Sequence, residues 1–214
     1  MTTSHEAGLS QSALIIVDMQ NDFVHPEGGL AYRARETPAA GLDAGFLTGT
    51  IPNVKRLAEA FRKASRPVIY IAHVVKPDYS DAQFPHWRLA RPGGNRTFIV
   101  ENTWGAQIVD DLQPHHGEHL IVKKGFGGFS NTSLDTILRS RGVTTCVVAG
   151  VMTSVCVSST IRGGVEHNYR MIVVEDAVAD VVRDNHAAEL KILARVFADV
   201  TTVEAVKAMF AKTV

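Results

Sequence analysis

Residues 144–167 read TTCVVAGVMTSVCVSSTIRGGVEH, and the fold turns on how that stretch is divided. TTCVVAGV (144–151) is a short, unbroken apolar run of the kind that forms a strand buried on both faces. From Ser154 to about His167 the chain reads instead as a helix. A buried strand running straight into a helix is the unit of a parallel sheet.

The same alternation extends in both directions. Upstream, ALIIVD (13–18) and PVIYIAHVV (67–75) read as strands, separated by a Gly/Pro-rich loop from His25 to about Thr48 and a helix at Asn53–Ser65. That helix carries Val54, Leu57, Ala58 and Phe61 at helical spacing. A long irregular segment, 76–103, holds Pro77, Pro85, Pro92, Gly93 and Gly94; loops of that length are usually functional or mobile. A short helix is predicted at Trp104–Leu112, a strand at EHLIVK (118–123) and a helix at Thr132–Ser140. Downstream come a strand at YRMIVVE (169–175), a helix at Asn185–Phe197, a sixth strand at Asp199–Val203 and a last helix at Glu204–Ala211. The expected architecture is one α/β domain spanning 1–214, a Rossmann-like three-layer sandwich. Its mostly parallel six-stranded sheet has helices on both faces, and residues 1–12 form a flexible N-terminus.

Composition narrows the function. The 214 residues are 45% hydrophobic and 21% charged, ordinary for a globular chain. Twenty-two Lys and Arg balance 22 Asp and Glu. That balance removes the electrostatic grounds for a nucleic-acid or anionic-membrane partner and suits self-association. No apolar run is long enough to cross a bilayer, and the polar start MTTSHEAGLSQS lacks the pattern of a signal peptide. Two cysteines are too few for a disulfide framework, which points to a reducing cytoplasm.

In parallel sheets, ligands bind at the carboxyl ends of strands. Asp18 ends the first strand, Lys123 the third, and Thr153–Cys156 forms the turn after the fourth. An acid, an amine and a thiol therefore meet on one edge. Cys156 falls in the first turn of its helix, where the helix dipole and a cation lower a thiol pKa; taken alone it reads as a small buried hydrophobe. Cys146, mid-strand, fits that packing role. Asp18 is a candidate proton acceptor or a turn residue, and Lys123 a candidate partner for thiolate and oxyanion or a solvated charge. Period alone does not choose between Lys123 and Lys124.

VDMQNDF (17–23), KKGFGGFSNTSLD (123–135) and AGVMTSVCVSSTIRGG (149–164) together resemble the cysteine hydrolases of the isochorismatase-like superfamily. FSNTSLDTILRSRGV (129–143), CVSSTIRGG (156–164) and TWGAQIVDDL (103–112) resemble its ureidoacrylate, biuret and N-carbamoylsarcosine amidohydrolases. The resemblance implies Asp18, Lys123 and Cys156 as a catalytic triad, selecting Lys123 because it stands six residues before Phe129. It implies a cis peptide at Val151–Met152 and an oxyanion hole from the N–H groups of Met152 and Cys156. It further implies covalent hydrolysis of a small ureido or carbamoyl amide, with ammonia or an amine released, in a homodimer or homotetramer. The alternatives are another small amide, such as maleamate or a nicotinamide-like ring, and a non-catalytic family member.

Candidate substrate contacts are the Gln20 and Asn21 amides and the rings of Phe23, Phe129 and Trp104; core packing is the competing role for the rings. Arg88, Arg91 and Arg96 are candidate carboxylate clamps or solvated loop residues. The nicotinamidase Asp-x-His metal motif is missing from HVVKPDYSDAQFPHW (73–87), where His73 and His86 read as loop or core histidines, so neither metal nor cofactor is expected. Gly127-Gly128, Phe126 and Gly163-Gly164 depart from the family pattern, and each departure is expected to open space or remove a polar group near the pocket.

Overall fold

The computed structural model describes residues 9–83 and 97–211. In chain order its elements are β1 (Ser12–Val17), α1 (Asn21–Val24), α2 (Gly29–Glu36), α3 (Ala44–Thr48), α4 (Ile51–Lys63), β2 (Val68–His73) and β3 (His119–Lys123). They continue with α5 (Leu134–Ser140), β4 (Thr145–Val151), a π-helical turn (Thr153–Val157), α6 (Ser158–Glu166), β5 (Arg170–Ala179), α7 (Arg183–Val196), β6 (Asp199–Thr201) and α8 (Val203–Ala211).

All six strands join one sheet in the order β3-β2-β1-β4-β5-β6, and every neighbouring pair is parallel. The chain moves outward from β1 to β3 and then returns to place β4 on the other side of β1. That reversal opens a crevice beyond the carboxyl ends of β1 and β4, the place where such sheets bind ligands.

The two faces are sorted by strand alternation. Leu14, Ile16 and Tyr70 point to one side and pack with Val54, Leu57 and Phe61 of α4 and Val203 and Val206 of α8. Ile15, Val17, Ile69 and Ile71 point to the other and pack with Leu134 and Leu138 of α5, Ile161 of α6 and Leu193 of α7. Each such side chain, fully buried, contributes roughly 1.5–3 kcal/mol against exposure. α4 begins at Ile51 and takes Pro52 into its first turn, where the missing N–H costs nothing. Ser65, at φ 54°, follows its end.

The structure revises four expectations. Residues 25–48 are not loop throughout: they contain α2 and α3. Only Gly29, Leu30 and Ala31 of α2 are buried, so that helix carries little apolar periodicity to read. Residues 104–112 do not form a helix but two 3-10 turns, Trp104–Ala106 and Asp110–Leu112. Between them the chain is drawn into extended pairing with the end of β1: Ile108 bridges Gln20, and the Asn21 and Val109 N–H groups donate to Gln107 and Met19 carbonyls at 2.9 and 3.0 Å. Residues 9–12 belong to the folded body rather than a flexible terminus. Leu9–Gln11 make a 3-10 turn with Leu9 buried, and Ser12 opens β1. Finally, β5 runs on past residue 175 through a register shift against β4. Its extension carries the chain to Asp180 at the carboxyl edge.

Candidate active site

β1 stops at Val17, and Asp18 takes a left-handed backbone at φ 53°, a conformation that Asp accepts more readily than most residues. Its N–H donates to the Ile71 carbonyl at 2.9 Å, which ties the turn to β2. Gly150 lies beside this point at φ 112°. A Cβ there would collide with the Val17 backbone, so glycine alone lets β4 close against the end of β1.

Three side chains meet in the crevice. The Lys123 ammonium lies 2.8 Å from Asp18 Oδ2 and donates to Cys156 Sγ at 3.3 Å and to the Gly125 carbonyl at 3.0 Å. Asp18, Lys123 and Cys156 are 0%, 1% and 3% exposed. Ion pairs this deeply buried are costly unless geometry is good, so the arrangement serves something other than packing. Lys124 instead pairs with Asp81 at the surface. Of the two lysines, Lys123 is the one that faces the crevice.

Electrostatics define the resting state. Burial pushes the Asp18 carboxyl above its usual range, against the pull of Lys123. Burial also opposes the Lys123 ammonium, but the negative partners Asp18 and Cys156 outweigh it and the net shift is upward. The Cys156 thiol is raised, by burial first and by the Asp18 charge second, with Lys123 opposing. The expectation of a depressed thiol pKa is therefore corrected: a cation beside the sulfur does not compensate for lost water and an adjacent carboxylate. Burial thus favours the neutral thiol at Cys156, while the pairing with Asp18 keeps Lys123 as an ammonium.

Cys156 sits not in an α-helical first turn but in the π-helical turn before α6. Its carbonyl accepts the Thr160 hydroxyl at 2.7 Å, and Thr160 Oγ1 accepts the Gly128 N–H at 2.9 Å. The Gly-rich segment after β3 is thereby fastened to the helix that follows the thiol. The peptide between Val151 and Met152 is cis.

His73 also belongs to this cluster. It ends β2, pairs in register with Lys123 and is 2% exposed. Its ligating nitrogen, an Asp18 oxygen and the Cys156 sulfur all lie within 4.8 Å of one another. Burial, then the Lys123 charge, lowers its pKa to about 3, so the ring is neutral. The carboxyl-edge rule would have found it had the second strand been ended at His73 rather than Val75. These three residues carry ligand atoms that suit a soft divalent metal. The Lys123 ammonium, however, already contacts two of the three, and supplies there the positive charge a metal would bring.

The expected substrate contacts fare differently. The Gln20 amide nitrogen donates to the His73 and Ala106 carbonyls, both at 2.9 Å, and its oxygen accepts the His73 N–H at 2.8 Å. Both donors are used, so Gln20 braces β2 against the 104–109 segment rather than offering a free amide. Asn21 Nδ2 likewise donates to the Trp104 carbonyl at 2.9 Å. Phe23 packs edge-on to Phe98, and Trp104, half exposed, meets His25. Phe129 stacks on His167 and lies against Tyr169. A Cβ at Gly164 would strike Met171 and approach that ring, and one at Gly128 would strike Ile71. These glycines admit core side chains instead of opening the pocket. Arg88, Arg91, Arg96 and His86 lie outside the described residues.

The sequence profile of the isochorismatase domain matches residues 12–205. The chain is 35% identical over 179 residues to the ureidoacrylate amidohydrolase RutB of Agrobacterium fabrum, an alignment covering 78% of this chain and 75% of that one. Among solved structures, a cysteine hydrolase from Pseudomonas syringae pv. phaseolicola superposes with a TM-score of 0.83 at 28% identity, covering 100% of both chains. The N-carbamoylsarcosine amidase of Thermoplasma acidophilum gives 0.74 at 29% identity, covering 91% of this chain and 97% of that one.

Proposed function

The chain belongs to the isochorismatase family, and from that premise we propose that it is a cysteine-dependent amidohydrolase acting on a C–N bond of a small ureido or carbamoyl compound. One observation carries the proposal: the Lys123 ammonium bridges Asp18 and the Cys156 sulfur at 2.8 and 3.3 Å in a water-excluded crevice. The amidohydrolases among its relatives support the substrate class.

Asp18, a stronger base than an ordinary carboxylate because it is buried, takes the thiol proton as sulfur attacks the carbonyl carbon. Lys123 keeps its charge and stabilises the sulfur anion during the transfer. The developing oxyanion is received by the backbone N–H groups of Met152 and Cys156. As the C–N bond breaks, Asp18 returns the proton to the leaving nitrogen, and ammonia or an amine departs. Water then gives a proton to Asp18 and attacks the thioester-type carbonyl. The C–S bond breaks, and the sulfur recovers the proton from Asp18.

The enzyme works in a reducing compartment, the cytoplasm, where its thiols stay free, and as a homodimer or homotetramer, which the balanced charge favours. Among the described residues no helix is long and apolar enough to cross a membrane. The test is ammonia release from biuret, triuret, ureidoacrylate, N-carbamoyl amino acids, maleamate and nicotinamide, run beside Cys156→Ser. Turnover of a ureido compound that disappears in the variant is the expected result. Turnover of maleamate or nicotinamide alone contradicts the substrate class, and silence throughout contradicts the activity.

A further inference from the structure

The turn that carries Cys156 is held from outside the triad. Asp180 follows β5 directly and is 2% exposed. Its Oδ2 accepts both the N–H and the hydroxyl of Ser154, at 2.9 and 2.6 Å, and its Oδ1 accepts the Val182 N–H at 3.2 Å. Among the described residues no lysine or arginine is paired with it. A carboxylate this buried, satisfied by hydrogen-bond donors alone, is an expensive way to fill space. What it obtains is a rigid grip on a turn whose π-helical pitch departs from the α-helical pattern that follows.

A second tie reaches the same turn from α7. His186 Nδ1 lies 2.9 Å from the Thr153 hydroxyl, and Thr153 is fully buried. The ring of His186 is itself packed edge-on to Phe46 of α3. Both residues that lead into the Val155–Cys156 pair are thus fastened by side chains from the β5–α7 corner.

We propose that Asp180 is a positioning residue for the nucleophile: by gripping Ser154 it fixes the turn so that the Cys156 sulfur stays within reach of Lys123 and Asp18. The inference rests on the reading of Cys156 as nucleophile. Asp180 touches no reacting atom and acts wholly through the backbone of the turn. Asn in its place keeps the size but has one acceptor oxygen where Asp has two, so an N–H faces either Ser154 or the Val182 N–H. A shift of the sulfur by an ångström is enough to cost about 100-fold in rate.

The experiment compares Asp180→Asn, Ser154→Ala, Ser154→Thr and Cys156→Ser in the full chain. Steady-state kinetics on a ureido compound that the parent turns over, the rate of Cys156 alkylation by iodoacetamide and the melting temperature are read together. Asp180→Asn is expected to lower kcat about 100-fold with KM within about twofold, because positioning rather than binding is lost. Its alkylation rate should also differ from the parent's. Ser154→Ala removes one of the two bonds and should lower kcat about threefold to tenfold. Ser154→Thr keeps both donors and should restore parental kinetics. A purely structural role would lower the melting temperature and leave kcat and alkylation of the folded enzyme unchanged.

Parental kcat in folded Asp180→Asn, beside an inactive Cys156→Ser, overturns this inference alone. If Asp180→Asn does not fold, parental kcat in Ser154→Ala overturns it equally. Full turnover by Cys156→Ser overturns the nucleophile reading, and this inference with it.

Discussion

The two cysteines of the chain sit at opposite ends of one strand–turn unit and make an internal control. Cys146 is the second residue of β4 and Cys156 lies in the π-helical turn beyond it; both are buried, and neither is in a disulfide. Burial alone pushes the Cys146 thiol up to about 12. Cys156 is also raised by burial, but it is flanked by Asp18 and Lys123. Two thiols that would both be poor nucleophiles by pKa are thus separated by what stands next to them. Among the described residues no carboxylate or amine is paired with Cys146, whereas Cys156 has the Asp18 carboxyl and the Lys123 ammonium beside it. In the proposed mechanism the difference teaches that reactivity comes from a proton acceptor in contact, not from a resting thiolate.

That contrast can be broken most severely at the sulfur. Cys156→Ser should lower turnover by about 10⁴-fold or more, the scale of nucleophile removal in covalent hydrolases, read as ammonia release from the best substrate. Asp18→Asn should cost about 10³-fold or more by removing the base. It should also shift the pH midpoint of Cys156 alkylation downward, because the neighbouring negative charge that helps to raise the thiol is gone while Lys123 remains. An unchanged or higher midpoint would contradict the electrostatic assignment.

The parent enzyme adds a pH test of the same pair. In the proposed mechanism activity requires the carboxylate form of Asp18, whose pKa is raised by burial. As pH falls, kcat/KM should therefore decline above the ordinary range of Asp, around 3.8. A profile flat down to that range would contradict a buried Asp base. Lys123→Met should lose activity and also stability, by about 3–5 kcal/mol at neutral pH, since it strands a buried carboxylate; denaturant melts check the second part. The smallest effect belongs to the control. Cys146→Ala should leave kcat unchanged and cost about 1–2 kcal/mol for the small void it leaves.

Much of this contrast was legible in the sequence, and the reasons are local. ALIIVD and TTCVVAGV announce buried strands because parallel sheets covered on both faces demand unbroken apolar runs. Once those strands were aligned, Asp18, Lys123 and Cys156 had to share an edge. The position of His73 was obscured because Val74 and Val75 prolong the apolar run beyond the last sheet residue. Asp180 was hidden for a similar reason: β5 continues through exposed Glu175 and Asp176, which look like a strand end. The roles of Gln20 and Asn21 depended on backbone carbonyls of residues far along the chain, and no spacing reveals those. The 104–112 segment has a helix-length pattern, yet its N–H and C=O groups find better partners across at residues 19–21.

The most direct measurement is partial alkylation of the parent enzyme with iodoacetamide, followed by peptide mass mapping against residual turnover. Activity is expected to fall one-for-one with carbamidomethylation of Cys156 while Cys146 stays unmodified. Turnover that survives complete modification of Cys156, or that is lost in step with Cys146, would contradict it.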